Sequence, residues 1–287
     1  MIVRKFLALA ATGLALLLAA HPAGAQSRWA SQGVRIATEG AYAPWNFTKP
    51  DGGLDGFEVD LAADLCKRMN VRCTVVAQDW DGIIPSLNAG RYDAIMAGMS
   101  ITARRLEVLS FTRVYASSPG GFGVPKESPL ARLPGTGQRF NLETQPAESR
   151  AMIDQLRALV RGKTIGVQTS TIHSNFLNEY FKDVATIREY RTTEQHDIDL
   201  QNGRIDAIWA AHSAMTATFA QPGFGDYMIA GPGFAGGMLG LGVAVAVRKA
   251  DDELRTMFDQ AIAAALADGT VKALSMKWFK VDLSPQQ

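Results

Sequence analysis

Beyond its first 25 residues the chain lacks any apolar run near the roughly 18 to 20 residues that a membrane-spanning helix needs. It lacks an excess of charge as well, with 29 Lys and Arg against 28 Asp and Glu in 287 residues. A nucleic-acid binder carries a basic surplus, so that class is set aside. Histidine is scarce: His173, His196 and His212 show neither metal-ligand nor triad spacing, and His21 falls in the leader described below. No metal and no cofactor are therefore expected, and Gly236 to Gly240 is too loosely spaced to cradle a nucleotide. Only two cysteines are present, Cys66 and Cys73.

The first 25 residues read as a cleaved secretory signal. Arg4 and Lys5 precede an apolar stretch from Phe6 to Ala20, and Ala23-Gly24-Ala25 supplies small residues for cleavage. Cleavage leaves a chain from Gln26 with 27 basic and 28 acidic residues, and no cysteine stands at the cut to carry a lipid. At that length, 287 less 25, one core stops growing and two lobes are expected. In an oxidising compartment Cys66, at the end of a predicted helix over 59–69, and Cys73, at the start of the next strand, are expected to form a disulfide; two free buried thiols are the alternative.

The stretch Tyr92 to Arg105, YDAIMAGMSITARR, organises the rest. A short apolar strand over 93–97 runs into a helix predicted over 103–109, and Gly98 permits close approach. Ser100, Thr102 and the free N–H groups of the helix start face the same point, with Arg105 as a planar fork for a carboxylate. Taken alone, Thr102 reads equally well as an ordinary N-cap and Arg105 as a solvated residue. A second junction favours the site: a strand Thr164 to Gln168 leads through Thr169, Ser170 and Thr171 into a helix around 175–181. Two such junctions suggest two lobes facing a shared cleft that takes a small anionic or zwitterionic ligand.

Other elements fit a parallel α/β pattern. Strands are predicted at 34–38 and 74–77, with Asp81 capping a helix over 82–89, and Glu39, Tyr42 and Trp80 lie just past strand ends. The 117–123 run suits a crossover, 130–149 reads as a polar surface insertion, and a helix follows at 152–160. Gly203-Arg204-Ile205-Asp206-Ala207 echoes Gly90-Arg91-Tyr92-Asp93-Ala94, a faint sign of duplication. The chain is expected to cross back near 227–232, followed by a strand over 241–248 and helices to Ala267 and Phe279.

Tyr42-Ala43-Pro44, Gly56 to Leu61, the two cysteines, Ile84 to Leu87, Asp93 to Arg105 and Asp268-Gly269-Thr270 before Trp278-Phe279 together resemble the periplasmic solute-binding proteins of amino-acid ABC importers. The resemblance covers 34–283 and lies nearest the lysine/arginine/ornithine-binding and, more so, the octopine/nopaline (opine)-binding branches. It implies a type II two-lobed α/β fold hinged on two crossovers, with lobe 1 from 26–117 and 230–287 and lobe 2 from 118–229. It also implies a periplasmic, monomeric binding protein that closes on an amino acid or opine and delivers it to a membrane permease.

By the same resemblance Arg105 grips the α-carboxylate, helped by Ser100, Ser170 and Thr171. Tyr42 and Trp80 flank an extended side chain, and Glu39 meets its distal cation. Ala97, Gly98, Met99 and Gln168 complete the cleft, and His173 faces an extra carboxylate or else the helix surface. Two departures matter: basic-amino-acid binders carry Asp where this chain has Ala211, and Ser where it has Gly98. An α-ammonium would lose its ionic partner, which implies a ligand that lacks a free primary α-ammonium or carries it substituted, as opines do. The runner-up is an extracytoplasmic enzyme of this fold, of the cyclohexadienyl or arogenate dehydratase type.

Overall fold

A computed structural model describes residues 27–285, so the expected signal segment lies outside the described residues. Three sheets form among the described residues: two large ones, and a small antiparallel one of Ala41–Tyr42, Asn46–Thr48 and Leu54–Asp55 that carries Tyr42. The first has the order Cys73–Ala77, Val34–Thr38, Ala94–Ile95, Ala246–Arg248, Leu109–Phe111, the first three parallel and Ala246–Arg248 antiparallel to both neighbours. The second runs Thr186–Tyr190, Thr164–Gln168, Ala207–Ala211, Gly120–Pro125, Tyr227–Ala235, Arg139–Asn141. Its central strand Ala207–Ala211 is buried at every position, as a strand covered on both faces must be. The α/β, two-lobed expectation holds.

The helix Phe57–Met69 shows how the pattern builds lobe 1. Phe57, Leu61, Leu65 and the neighbouring Ala62 and Cys66 fall on one face and are buried against the sheet and the helix Asp252–Ala267. Asn70 turns left-handed (φ 54°) to close it, and the chain returns so that Cys66 and Cys73 join in a disulfide with Cα atoms 6.1 Å apart.

Several boundaries differ from the sequence reading. The helix after Thr102 stops at Leu106, because Leu109 and Phe111 are taken into the first sheet beside Ala246–Arg248. Asp81 does not cap; it lies inside a 3-10 turn, Trp80–Gly82, ahead of the helix Ile83–Asn88. The segment 130–149 is no simple surface insertion. Leu130 and Leu133 are buried in the second core, Arg139–Asn141 pairs with Gly233–Ala235, and the helix begins at Pro146, whose fixed φ suits a first turn. The return crossover comes later than residue 230, since Tyr227–Ala235 remains hydrogen-bonded in the second sheet. Beyond it Gly240 (φ 80°) and Gly242 (φ 125°) hold the chain irregular, so the expected 241–248 strand shrinks to Ala246–Arg248.

The lobes touch on both sides of the crossovers. On the hinge side the Trp45 indole donates to Ser213 Oγ at 3.2 Å, and Ala214 joins the core of lobe 1. On the opposite side, Arg191 pairs with Asp79 at 2.6 Å. Between these contacts lies a partly open cavity.

Candidate functional site

The lobe 1 wall is built at strand ends. After Ala94–Ile95 the chain turns through Ala97 and Gly98, and Thr102 caps the next four-residue helix by accepting from the Arg105 N–H at 3.2 Å. That helix is too short to carry a dipole, so the positive charge here comes from the Arg105 side chain. Its Nη1 donates to the Ser100 carbonyl at 2.9 Å, and its guanidinium lies 5.3 Å from the Trp80 ring centre. Among the described residues no carboxylate pairs with it, and burial draws it down to about 10. A desolvated, unpaired guanidinium is a standing demand for an anion.

Glu39, at the end of Val34–Thr38, is buried at 7% exposure and accepts from Gln168 Nε2 across the cleft at 2.6 Å. Burial pushes its carboxyl up to about 7, Gln168 pulls it back, and the nearby negative charges of Asp79, Glu58 and Asp81 raise it further. Tyr42 stacks nearly parallel to Trp45 at 6.2 Å and fills the space over Gly98: a Cβ there would lie 2.9 Å from its ring. With φ 62° as well, residue 98 cannot become serine without moving Tyr42.

The lobe 2 wall is the start of the helix Ile172–Tyr180. Thr171 caps it, its Oγ1 accepting from the Ser174 N–H at 3.0 Å while donating to the Gln168 carbonyl at 2.7 Å. This hydroxyl is spent on the turn, which leaves backbone N–H groups of the first helical turn for a ligand. His173 faces the cavity from the same turn, and burial together with the Arg105 charge draws it down to about 4, so it is neutral. Trp80 Nε1 donates to the Ser170 carbonyl at 3.1 Å, which ties the lobes together at the rim.

One cavity of about 50 Å³ gathers most of the residues named from sequence. Glu39, Tyr42, Trp80, Ala97, Gly98, Ser100 and Arg105 line it from lobe 1, and Gln168, Thr171, His173 and Ala211 from lobe 2. Two named residues are not in its wall. Met99 is fully buried in the lobe 1 core, because backbone alternation after Gly98 turns it away. Ser170, left-handed at φ 59°, faces instead an outer groove that opens past Trp80 and Arg105.

Sequence reasoning missed Trp45, Ser118, Ile172 and Val243 in the wall, and the network behind it. Glu58, 1% exposed, accepts from the Gly98 N–H at 2.8 Å, from Asn46 Nδ2 at 2.7 Å and from the Tyr115 hydroxyl, while Asn46 Oδ1 accepts from the Gly40 N–H at 2.8 Å. Glu58 thus pins the turn carrying Gly98 to the loop carrying Tyr42. Burial pushes it up to about 7 against these three donors. Its only signal in sequence was an acid placed on the apolar face of Gly56-Phe57-Glu58-Val59. No cluster of His, Cys, Asp and Glu fit to hold a metal occurs among the described residues.

Comparison with known proteins agrees with this geometry. The family model for bacterial extracellular solute-binding proteins, family 3, matches residues 34–281. An octopine-binding periplasmic protein of Rhizobium meliloti is 48% identical over 289 aligned positions, covering 94% of this chain and 97% of that one. A histidine-binding periplasmic protein of Salmonella typhimurium is 34% identical, covering 95% and 97%. A periplasmic His/Glu/Gln/Arg/opine family-binding protein from Silicibacter pomeroyi, solved with lysine, superposes with a TM-score of 0.70 at 35% identity, covering 88% of this chain and all of that one. These relatives are binding proteins rather than enzymes, and they place the fold among type II periplasmic binding proteins. The chain belongs to family 3 of the bacterial extracellular solute-binding proteins.

Proposed function

We propose that this periplasmic protein captures an arginine-derived opine, closes on it between its lobes and delivers it to the permease of an ABC importer as a monomer. The observation that carries this reading is the charge inventory of the cavity. Glu39 is the one carboxylate and Arg105 the one fixed cation in its wall, and Ala211 stands where an α-ammonium would need an acid. A free amino acid would bury that ammonium without a partner, at a cost of several kcal/mol. An opine brings its own: the carboxylate on the α-nitrogen substituent neutralises the secondary ammonium within the ligand. The guanidinium is then left for Glu39 and the α-carboxylate for Arg105.

Closure is supported by contacts already spanning the cleft, Glu39 with Gln168 and Trp80 with Ser170. A ligand guanidinium displaces the amide of Gln168 from Glu39 and keeps both lobes engaged through itself. The similarity to the Rhizobium meliloti octopine-binding protein supports the same class of ligand.

The test is a thermal-shift panel on the mature protein with octopine, nopaline, arginine, lysine, ornithine, histidine, glutamine and prephenate, since a ligand held only by the folded state raises its melting temperature. A large shift with an opine and little with arginine is expected. A larger shift with arginine or lysine returns the chain to the basic-amino-acid importers, and turnover of prephenate moves it to the enzymes.

A further inference from the structure

Two buried polar atoms behind the cavity have no partner: His173 Nδ1 and Trp209 Nε1. They belong to neighbouring elements of lobe 2. Trp209 sits at 1% exposure in the strand Ala207–Ala211, and its indole stacks on Phe176, one turn beyond His173 on the helix, with ring centres 4.8 Å apart. Both nitrogens converge on Gly120 in the adjoining strand. A Cβ at position 120 would lie 3.0 Å from His173 Nδ1 and 3.0 Å from Trp209 Nε1. Only a residue without a side chain leaves the two atoms free to approach each other.

Their chemistry is complementary in one arrangement alone. An indole N–H donates and never accepts, whereas a neutral imidazole has one nitrogen that donates and one that accepts. If Nδ1 carried the proton, two buried donors beside Gly120 would both be left without an acceptor. With Nδ1 bare, a movement that brings the two nitrogens into hydrogen-bond geometry lets the Trp209 N–H donate to it, and both unpartnered atoms are then satisfied at once. The proton then resides on Nε2. Of the two ring nitrogens Nδ1 is the one sealed in without a partner, which leaves Nε2 on the cavity side.

We propose that Trp209 is a positioning residue: its indole N–H fixes His173 in the Nε2-protonated tautomer, so that His173 presents a hydrogen-bond donor to the ligand beside Arg105. The neutral state of the ring, set by burial, makes the tautomer choice decisive. The donor suits an anionic oxygen other than the one held by Arg105. This deepens the opine reading and rests on it, because the substituent carboxylate of an opine is such an oxygen and free arginine has none to spare.

The test has two arms. In the first, nitrogen NMR of the ligand-free protein labelled at histidine, with His173 assigned from a His173→Gln spectrum, reads the tautomer directly. Wild type shows an unprotonated Nδ1 and a protonated Nε2, and Trp209→Phe loses that single pattern. A protonated Nδ1 in wild type overturns the proposal whatever the ligand is, and so does an unchanged pattern in Trp209→Phe. The second arm is calorimetry with octopine and arginine. Trp209→Phe weakens octopine about tenfold and leaves arginine unchanged. In a His173→Gln background, where the amide donates without help, Trp209→Phe has no effect. Equal weakening in both backgrounds means that Trp209 acts through packing and overturns the proposal. Failure of octopine to bind wild type refutes the opine reading, and the tautomer is still decided by the first arm. A Trp209→Phe protein that does not fold leaves the wild-type spectrum as the deciding measurement.

Discussion

Replacing Ala211 by Asp should exchange the ligand preference of this protein, and the structure allows the effect to be worked through. Ala211 is the N-cap of the helix His212–Phe219, extended at φ −63° and ψ 134°, and caps nothing itself: the His212 N–H donates to the Pro119 carbonyl at 2.8 Å and the Ser213 N–H to Ser118 Oγ at 3.0 Å, which leaves the Ala214 N–H for a capping side chain at position 211. It is 6% exposed and lines the cavity. Aspartate at an N-cap is worth about 1 kcal/mol over alanine, so the natural residue forgoes stability at this position. In Ala211→Asp that gain offsets part of the cost of burying the carboxylate, and the ligand-free protein should melt within a few degrees of wild type. Arginine acquires a charge-assisted partner for its α-ammonium worth roughly 1.5–3 kcal/mol, about a 10- to 100-fold tighter Kd. An opine meets the new carboxylate with its own and weakens by at least about 100-fold. The ratio of the two affinities, measured by calorimetry at neutral pH and low salt, should swing by about three orders of magnitude. Ala211→Asn serves as control, capping the helix without charge and leaving the ratio near wild type. A swing below about threefold in Ala211→Asp would refute the reasoning that the missing acid sets the preference.

Three further outcomes follow from the same geometry. Arg105→Met removes a desolvated cation with no anionic partner, so it should abolish detectable ligand binding while the ligand-free protein melts at or above the wild-type temperature; a lower melting temperature together with retained affinity contradicts the assignment. Glu39 and Glu58 both titrate near 7 in the folded chain against an ordinary value of 4.5, so the folded state holds protons that the unfolded state releases between those values. The stability of the ligand-free protein should therefore fall as pH rises from about 4.5 to 7, by on the order of 3 kcal/mol per group, while affinity for a guanidinium ligand rises through the same window as Glu39 ionises; calorimetric melts and titrations across that range check both signs. Replacing Cys66 and Cys73 by alanine should cost about 2–3 kcal/mol in denaturant unfolding and leave ligand affinity unchanged, because the bridge closes a short loop of lobe 1 outside the cavity wall.

The elements that sequence made legible are those whose local chemistry and long-range role coincide. The two hydroxyl-rich strand-to-helix junctions announce themselves through Ser100, Thr102, Ser170 and Thr171, and the fold turns both toward one space. Glu39 was found because it lies just past a strand end, and Arg105 because it stands at a helix start opened by hydroxyls. What escaped notice depends on distant segments. Leu109 looks helical until the Ala246–Arg248 strand, more than 130 positions later, recruits Leu109–Phe111 to a sheet. The polar run at 130–149 looks solvated, yet Leu130 and Leu133 pack beneath Ala230 and Phe234. Glu58 and Tyr115 are 57 positions apart, and nothing local says that an acid on an apolar helix face anchors a turn of the cavity. Met99 was named with the turn it lies in and Ser170 for its hydroxyl at a helix start; the backbone at each junction turns both away from the cavity.

Titration calorimetry of ligand-stripped mature protein with octopine and with arginine, in one buffer at neutral pH, addresses the central claim most directly. The account predicts one-to-one binding of octopine with an affinity at least about 100-fold tighter than that of arginine, the difference expected when several kcal/mol of ammonium desolvation goes uncompensated. Arginine binding as tightly as octopine, or more tightly, would contradict it.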